Sequence, residues 1–141
     1  MAEEEVTEER MMSGRIERFE DLVAWQKSRE LNKEVYSVTM SAAFSRDFSL
    51  RDQVRRCSVS MMANVAEGFE RGRPTEFKQF LSVAKGSCGE LRSHLYVALD
   101  VGYINKDVFD ALYAQASEVA RIIGGLRAAV ERRCKAMNSR E

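Results

Sequence analysis

Residues 51–73 read RDQVRRCSVSMMANVAEGFERGR, and the middle of this stretch decides the fold. From Cys57 to Ala66 only Ser58, Ser60 and Asn64 interrupt the apolar residues, while arginines crowd both ends. Leu50, Val54, Cys57, Met61, Val65 and Gly68 recur at steps of three and four, which places them on one seam of a helix. Val59, Met62, Ala63 and Ala66 lie largely off that seam. A helix with one apolar seam needs one layer of neighbours; this one needs two. Three companion helices in a single copy leave the second face bare. Val59, Met62, Ala63 and Ala66 are therefore the candidate interface of a homo-oligomer, and methionine suits a surface that packs adaptably.

The flanking sequence continues the helical pattern in both directions. Upstream, Ala24, Ser28, Leu31, Val35 and Val38 mark a first helix from about Phe19–Asp21 to Ser41, widened by Trp25 as a core or edge anchor. Residues 42–48 read as a connection, and Ser49 as the N-cap of the second helix, Leu50 to about Phe69. Downstream, Gly72 suits a left-handed C-cap and Pro74 a first helical turn. The third helix carries the cleanest period: Phe77, Leu81, Ala84, Cys88, Leu91, Leu95, Ala98 and Gly102. Gly86 and Gly89 inside it cost helix stability and suit a close approach by another helix, with local looseness of the helix as the alternative. After a short link, Asn105 caps a fourth helix reaching about Lys135, with Phe109, Leu112, Ala116, Val119, Ile123, Leu126 and Val130 on one stripe. Four long helices, short links and no strand signals define an all-α, up-down-up-down antiparallel four-helix bundle.

Composition sets the limits. At 141 residues the chain reads as one domain. Three segments follow: an acidic mobile tail over residues 1–18, the bundle over 19–135 and a short C-terminal tail over 136–141. No window of eighteen consecutive apolar residues occurs, so no membrane span is expected, and the acidic start lacks the form of a secretory leader. A cytoplasmic location is the expectation. The zero net charge hides a division, since residues 1–18 carry six glutamates against three arginines. The remainder is basic by a net of +3. Cys57, Cys88 and Cys134 show no Cys-x-x-Cys spacing and read as free thiols in a packed interior.

With the second and third helices placed, a family pattern emerges. Phe19-Glu20-Asp21-Leu22 with Trp25-Gln26-Lys27 opens it, then Gln53-Val54-Arg55-Arg56 and Ala63-Asn64-Val65-Ala66-Glu67-Gly68-Phe69 follow. Arg71-Gly72, Glu76-Phe77, Phe80-Leu81, Gly86-Ser87, Glu90-Leu91 and Gly102-Tyr103-Ile104 complete it. The chain resembles the four-helix-bundle proteins encoded in intervening sequences of bacterial 23S ribosomal RNA genes and by similar stand-alone genes, over about residues 19–133. That resemblance implies a homopentamer, a ring with a central channel. It also implies kinship with the accessory protein of diversity-generating retroelements, a basic pentameric bundle that binds nucleic acid and its reverse transcriptase.

No catalytic or cofactor constellation stands out. A carboxylate-bridged metal site needs paired Glu-x-x-His motifs, whereas His94 is the single histidine. Cys88, six residues before His94, lies on another face of the helix, so no nucleophile–base pair forms locally. Gly68-Phe69-Glu70-Arg71-Gly72 lacks the ending of a phosphate loop. No enzyme, cofactor or metal is expected. What remains is charge: Arg51, Arg55, Arg56, Arg71, Arg73 and Lys78 around the two ends of the second helix are the candidate contacts for RNA, DNA or another anion. Asp52, Glu67, Glu70 and Glu76 are the internal alternatives for pairing them, and Glu67 and Glu90 are expected to pair structurally with Arg55 or Arg56. The resulting expectation is a non-catalytic homo-oligomeric scaffold or adaptor, with RNA, DNA or a nucleic-acid-processing protein as partner. The alternative is a structural oligomer or protein-interaction module with no nucleic-acid contact.

Overall fold

Cross-helix contacts run in opposite senses along the chain at each successive pair of helices, and this determines the topology of the computed structural model, which describes residues 16–139. A 3-10 turn, Phe19–Asp21, leads into α1, Val23–Thr39. A short α2, Ala42–Arg46, precedes the long helices α3 (Phe48–Glu70), α4 (Pro74–Asp100) and α5 (Lys106–Asn138). Ser58 on α3 meets Asn32 on α1, while Arg55 meets the later Thr39, so the pair is antiparallel. Ser60 and Met61 face Ser87 and Cys88, and Gly68 faces Phe80, which makes α3 and α4 antiparallel. Lys78 reaches Glu131 and Arg92 overlies Tyr113, so α4 and α5 are antiparallel as well. Lys27 and Glu118 link α1 to α5 across the remaining side. Among the described residues there is no strand.

The expected stripes supply the core. Val54, Cys57, Met61, Val65 and Gly68 of α3 are buried, as are Phe77, Leu81, Ala84, Cys88, Leu91, Leu95 and Ala98 of α4. Every residue of the predicted α5 stripe is buried, and Ala120, Ile122 and Ala129 broaden it. The turn between α3 and α4 follows backbone chemistry: Gly72 adopts φ +74°, and Pro74 fixes the first turn of α4.

Three local expectations are corrected. Residues 42–46 are helical rather than connecting, because Phe44 is fully buried and packs 5.2 Å from the Tyr103 ring centre. The N-cap of α3 is Asp47, not Ser49; its side chain accepts from the Leu50 amide at 3.1 Å, and α3 starts at Phe48. α5 continues past Lys135 to Asn138, into the stretch expected as a C-terminal tail. Of the expected acidic tail, residues 1–15 lie outside the described residues, as do residues 140–141. Ile16 packs against the core.

Candidate functional site

Two of the three polar interruptions of the central stretch, Ser58 and Ser60, join helices. Ser58 Oγ donates to Asn32 Oδ1 at 2.8 Å, and the Ser60 and Ser87 hydroxyls lie 2.8 Å apart. Asn64 Nδ2 donates back to the Ser60 carbonyl at 2.9 Å, one helical turn earlier. Beyond these bonds lies the outer face of α3. Val59 is 40% exposed, Ala63 is exposed, and Met62 and Ala66 are half-buried. Within one copy this apolar face is not fully covered.

The basic residues separate into two groups. Arg51 pairs with Asp52 at 2.9 Å and donates to the Ser45 carbonyl at 3.1 Å. Arg55 donates to Thr39 and stacks on Tyr36. Arg71 pairs with Glu67 at 3.0 Å, one turn away, and overlies Phe80. Lys78 pairs at 3.2 Å with Glu131, whose carboxyl it holds below the ordinary range through their hydrogen bond. Arg56 and Arg73 are exposed and make no ion pair or side-chain hydrogen bond among the described residues. The six residues do not form one patch in one copy. Arg56 and Arg71 lie about 22 Å apart along the helix axis.

The pairing expected of Glu67 is also redistributed. Arg55 sits twelve residues away on the same helix, about 18 Å along its axis, whereas Arg71 sits at i+4 and is within reach. Glu90 makes no ion pair among the described residues; it lines an open groove of about 410 Å³ between α3 and α4 with Arg56, Ser60 and Gly86. No helix of the same copy approaches Gly86, because a Cβ there would meet nothing within 4 Å. The close approach is at Gly68, where a Cβ would fall 2.6 Å from Phe80 Cβ.

A second concavity, about 180 Å³, lies where α3 ends, α4 begins and α5 approaches its end. Phe69, Phe77 and Val130 form its apolar lining, and Arg73 and Arg133 border it. In the sequence Arg133 is one of several basic residues near the end of the fourth helix and carries no signal of its own. Its part in the cleft depends on α5 returning antiparallel to α4, and no local spacing signals that. Among the described residues no three potential ligand side chains gather as a metal site, and no helix is long and apolar enough to cross a membrane.

This arrangement defines an all-α helical bundle whose described outer surface carries exposed guanidiniums and a partly bare apolar face. The chain belongs to the 23S rRNA-intervening sequence protein family, whose model matches residues 20–125. A crystal structure from Bacteroides thetaiotaomicron, described as a protein of unknown function from the S23 ribosomal protein family, has the same fold. It is 18% identical, with a TM-score of 0.68 over 74% of this chain and 98% of that one. No curated protein matches the chain.

Proposed function

We propose that this protein is a non-catalytic homo-oligomeric scaffold that engages the phosphate backbone of RNA or DNA, or a protein that processes it. The reading rests on Arg56 and Arg73, two exposed guanidiniums without carboxylate partners among the described residues. Arg56 is carried on α3, whose outer face is apolar and incompletely covered, and Arg73 stands just beyond its end, at the N-cap of α4. An oligomer formed through Val59, Met62, Ala63 and Ala66 would repeat these charges once per subunit. Repetition turns two weak contacts into an avid, salt-sensitive one. The family resemblance favours a pentamer. Labelled RNA and DNA titrated from about 50 to 200 mM salt test the reading, since phosphate contacts lose affinity steeply over that range. Binding that falls with salt supports it, and no binding at the lowest salt removes it.

The internal commitments of Arg51, Arg55, Arg71 and Lys78 favour a second reading, a structural oligomer with a protein partner. The same titration separates the two.

A further inference from the structure

Where α3 gives way to α4, the cleft of about 180 Å³ sets an apolar lining of Phe69, Phe77 and Val130 beside two cations, Arg73 and Arg133. Phe77 and Val130 are buried and form its floor, while half-buried Phe69 keeps part of its ring open. The two rings meet edge to face with centres 5.9 Å apart, so Phe69 is held in place. No acidic residue lines the cleft; Glu70 and Glu76, close by in sequence, stand outside its lining. Other neighbouring carboxylates are already engaged: Glu67 pairs with Arg71 at 3.0 Å, and Glu131 takes Lys78 at 3.2 Å and Arg127 at 3.8 Å. Arg73 and Arg133, both exposed, make no ion pair among the described residues. The cleft thus combines uncompensated positive charge with an open aromatic wall.

A ligand matched to this cleft carries a compact anion beside a flat apolar group. Sites for drug-sized ligands run from about 300 to 1,000 Å³. A volume of about 180 Å³ therefore admits one ring and one phosphate rather than a length of strand. Charge sharpens the choice. An internal phosphodiester bears one negative charge, whereas a terminal phosphomonoester approaches two near neutral pH and presents three strong acceptor oxygens. Two guanidiniums, each able to fork onto a pair of phosphate oxygens, gain more from the second kind. We infer that this cleft receives the phosphorylated end of a nucleic-acid strand. Arg73 and Arg133 hold the terminal phosphate, and the terminal base lies against Phe69, an aromatic contact that tolerates any base. The inference rests on the nucleic-acid reading above and refines it. Arg56, in the groove between α3 and α4, meets the backbone, and Arg73 meets the strand's end.

The test is fluorescence anisotropy of the full chain with one short, internally labelled single strand carrying a 5′-phosphate, a 3′-phosphate or hydroxyls at both ends. At about 100 mM salt one phosphorylated form should bind about tenfold more tightly than the hydroxyl form, the size of one charge-assisted contact. Arg133→Gln, at an exposed position late in α5, should erase that difference and leave the hydroxyl form at native affinity. Arg56→Ala should weaken all three forms alike. In the native chain AMP should cancel the advantage of the phosphorylated strand at concentrations where inorganic phosphate does not, a readout that needs no variant. Equal, salt-sensitive binding of the three forms overturns the inference and leaves the backbone reading standing, whereas no binding by any of them removes both. AMP alone binding as tightly as the phosphorylated strand would assign the cleft to a free mononucleotide, and phosphotyrosine competing as well as AMP would assign it to a phosphorylated protein. Either result overturns the inference, as does inorganic phosphate competing as well as AMP, which would leave the aromatic wall without a use.

Discussion

Arg55 Nε donates a 2.8 Å hydrogen bond to Thr39 Oγ1, and the guanidinium sits 4.6 Å from the centre of the Tyr36 ring. The Thr39 hydroxyl, itself buried, donates in turn to the Val35 carbonyl at 2.8 Å. A charge from the basic stretch is therefore committed to holding α1 against α3. Arg56, one residue along and about 100° around the helix, has no such partner among the described residues. Adjacent arginines with the same chemistry thus have separable roles.

Arg55→Ala should lower stability by about 1–2 kcal/mol in urea unfolding, since it removes a charge-assisted hydrogen bond and a cation–π contact. Arg56→Ala should stay within about 0.5 kcal/mol of the native protein, as an exposed site without partners. Nucleic-acid affinity should show the opposite order. Arg56→Ala should reduce the salt slope by about 1 per copy, whereas Arg55→Ala should leave it unchanged.

The glycines make a second contrasting pair. Gly68→Ala places a Cβ 2.6 Å from Phe80 Cβ, an atom too near its backbone to move aside, so α3 and α4 must separate locally. The expected loss is about 1–3 kcal/mol, read as a lower urea midpoint. Gly86→Ala meets nothing within 4 Å and gains helix propensity, so it should stabilise the fold by up to about 1 kcal/mol. A weaker oligomer in Gly86→Ala with a firmer subunit would place the Gly86 groove at a contact between copies.

The helical stripes were legible because each follows a 3.6-residue period over several turns, and burial obeys that period from Phe77 to Ala98 and from Phe109 to Val130. The α3 N-cap was not legible, because Asp47 and Ser49 are both good caps by local chemistry. What holds Asp47 is distant in sequence: Tyr103 Oη donates to its second carboxylate oxygen at 2.9 Å. Pairing partners were legible only where helical spacing constrains them. Arg71 and Glu67 are four residues apart, but Lys78 and Glu131 are brought together only by the return of α5. The short α2 is not legible in the sequence because one buried aromatic, Phe44, is too little to show a period.

Asp47→Ala should cost about 1–2 kcal/mol, since it removes the cap of α3 and leaves the Tyr103 hydroxyl without its acceptor. Ser49→Ala, at an exposed site inside the first turn, should stay within about 0.5 kcal/mol. Asp47 also raises the Tyr103 phenol above its ordinary value by accepting its proton in a hydrogen bond. Ultraviolet titration of Asp47→Ala should therefore show that phenol ionising at lower pH than in the native protein.

Burial pushes the Cys57 thiol up to about 11 and the Cys88 thiol to about 12, with the Glu90 carboxylate adding to the shift at Cys57. At pH 8 a water-soluble disulfide reagent should therefore modify half-buried Cys134 first, and the other two only on unfolding. The linkage has a definite sign. A folded-state pKa above the unfolded one leaves stability intact below about pH 9, and the unfolded chain then releases its protons first as pH rises. Stability should decline from about pH 9 towards 11 and 12. Cys57→Ala, whatever its effect at neutral pH, should flatten the first part of that decline; an unchanged slope would show that the buried thiol is not its source.

The outer face of α3 gives a prediction about assembly. Val59 and Ala63 are exposed in a single copy, although the segment around them is nearly continuous in apolar residues. Each exposed Å² of apolar surface removed from water contributes about 25 cal/mol, so a face repeated on every subunit becomes an effective contact only when copies meet through it. Met62→Glu introduces a charge that such a contact would desolvate, and Ala63→Arg adds bulk where a neighbouring backbone would approach. Both positions lie off the buried seam of Val54, Met61 and Val65, so the helical content and urea midpoint of each variant should remain near native. Light scattering should report a smaller mass for both. A native mass in both folded variants would locate the contact elsewhere on the bundle, and a native protein running as a single copy at micromolar concentration would remove the subunit contact altogether. The loss of repetition would then leave Arg56 and Arg73 as isolated charges, for which the salt-dependent binding expected of an oligomer should be absent as well.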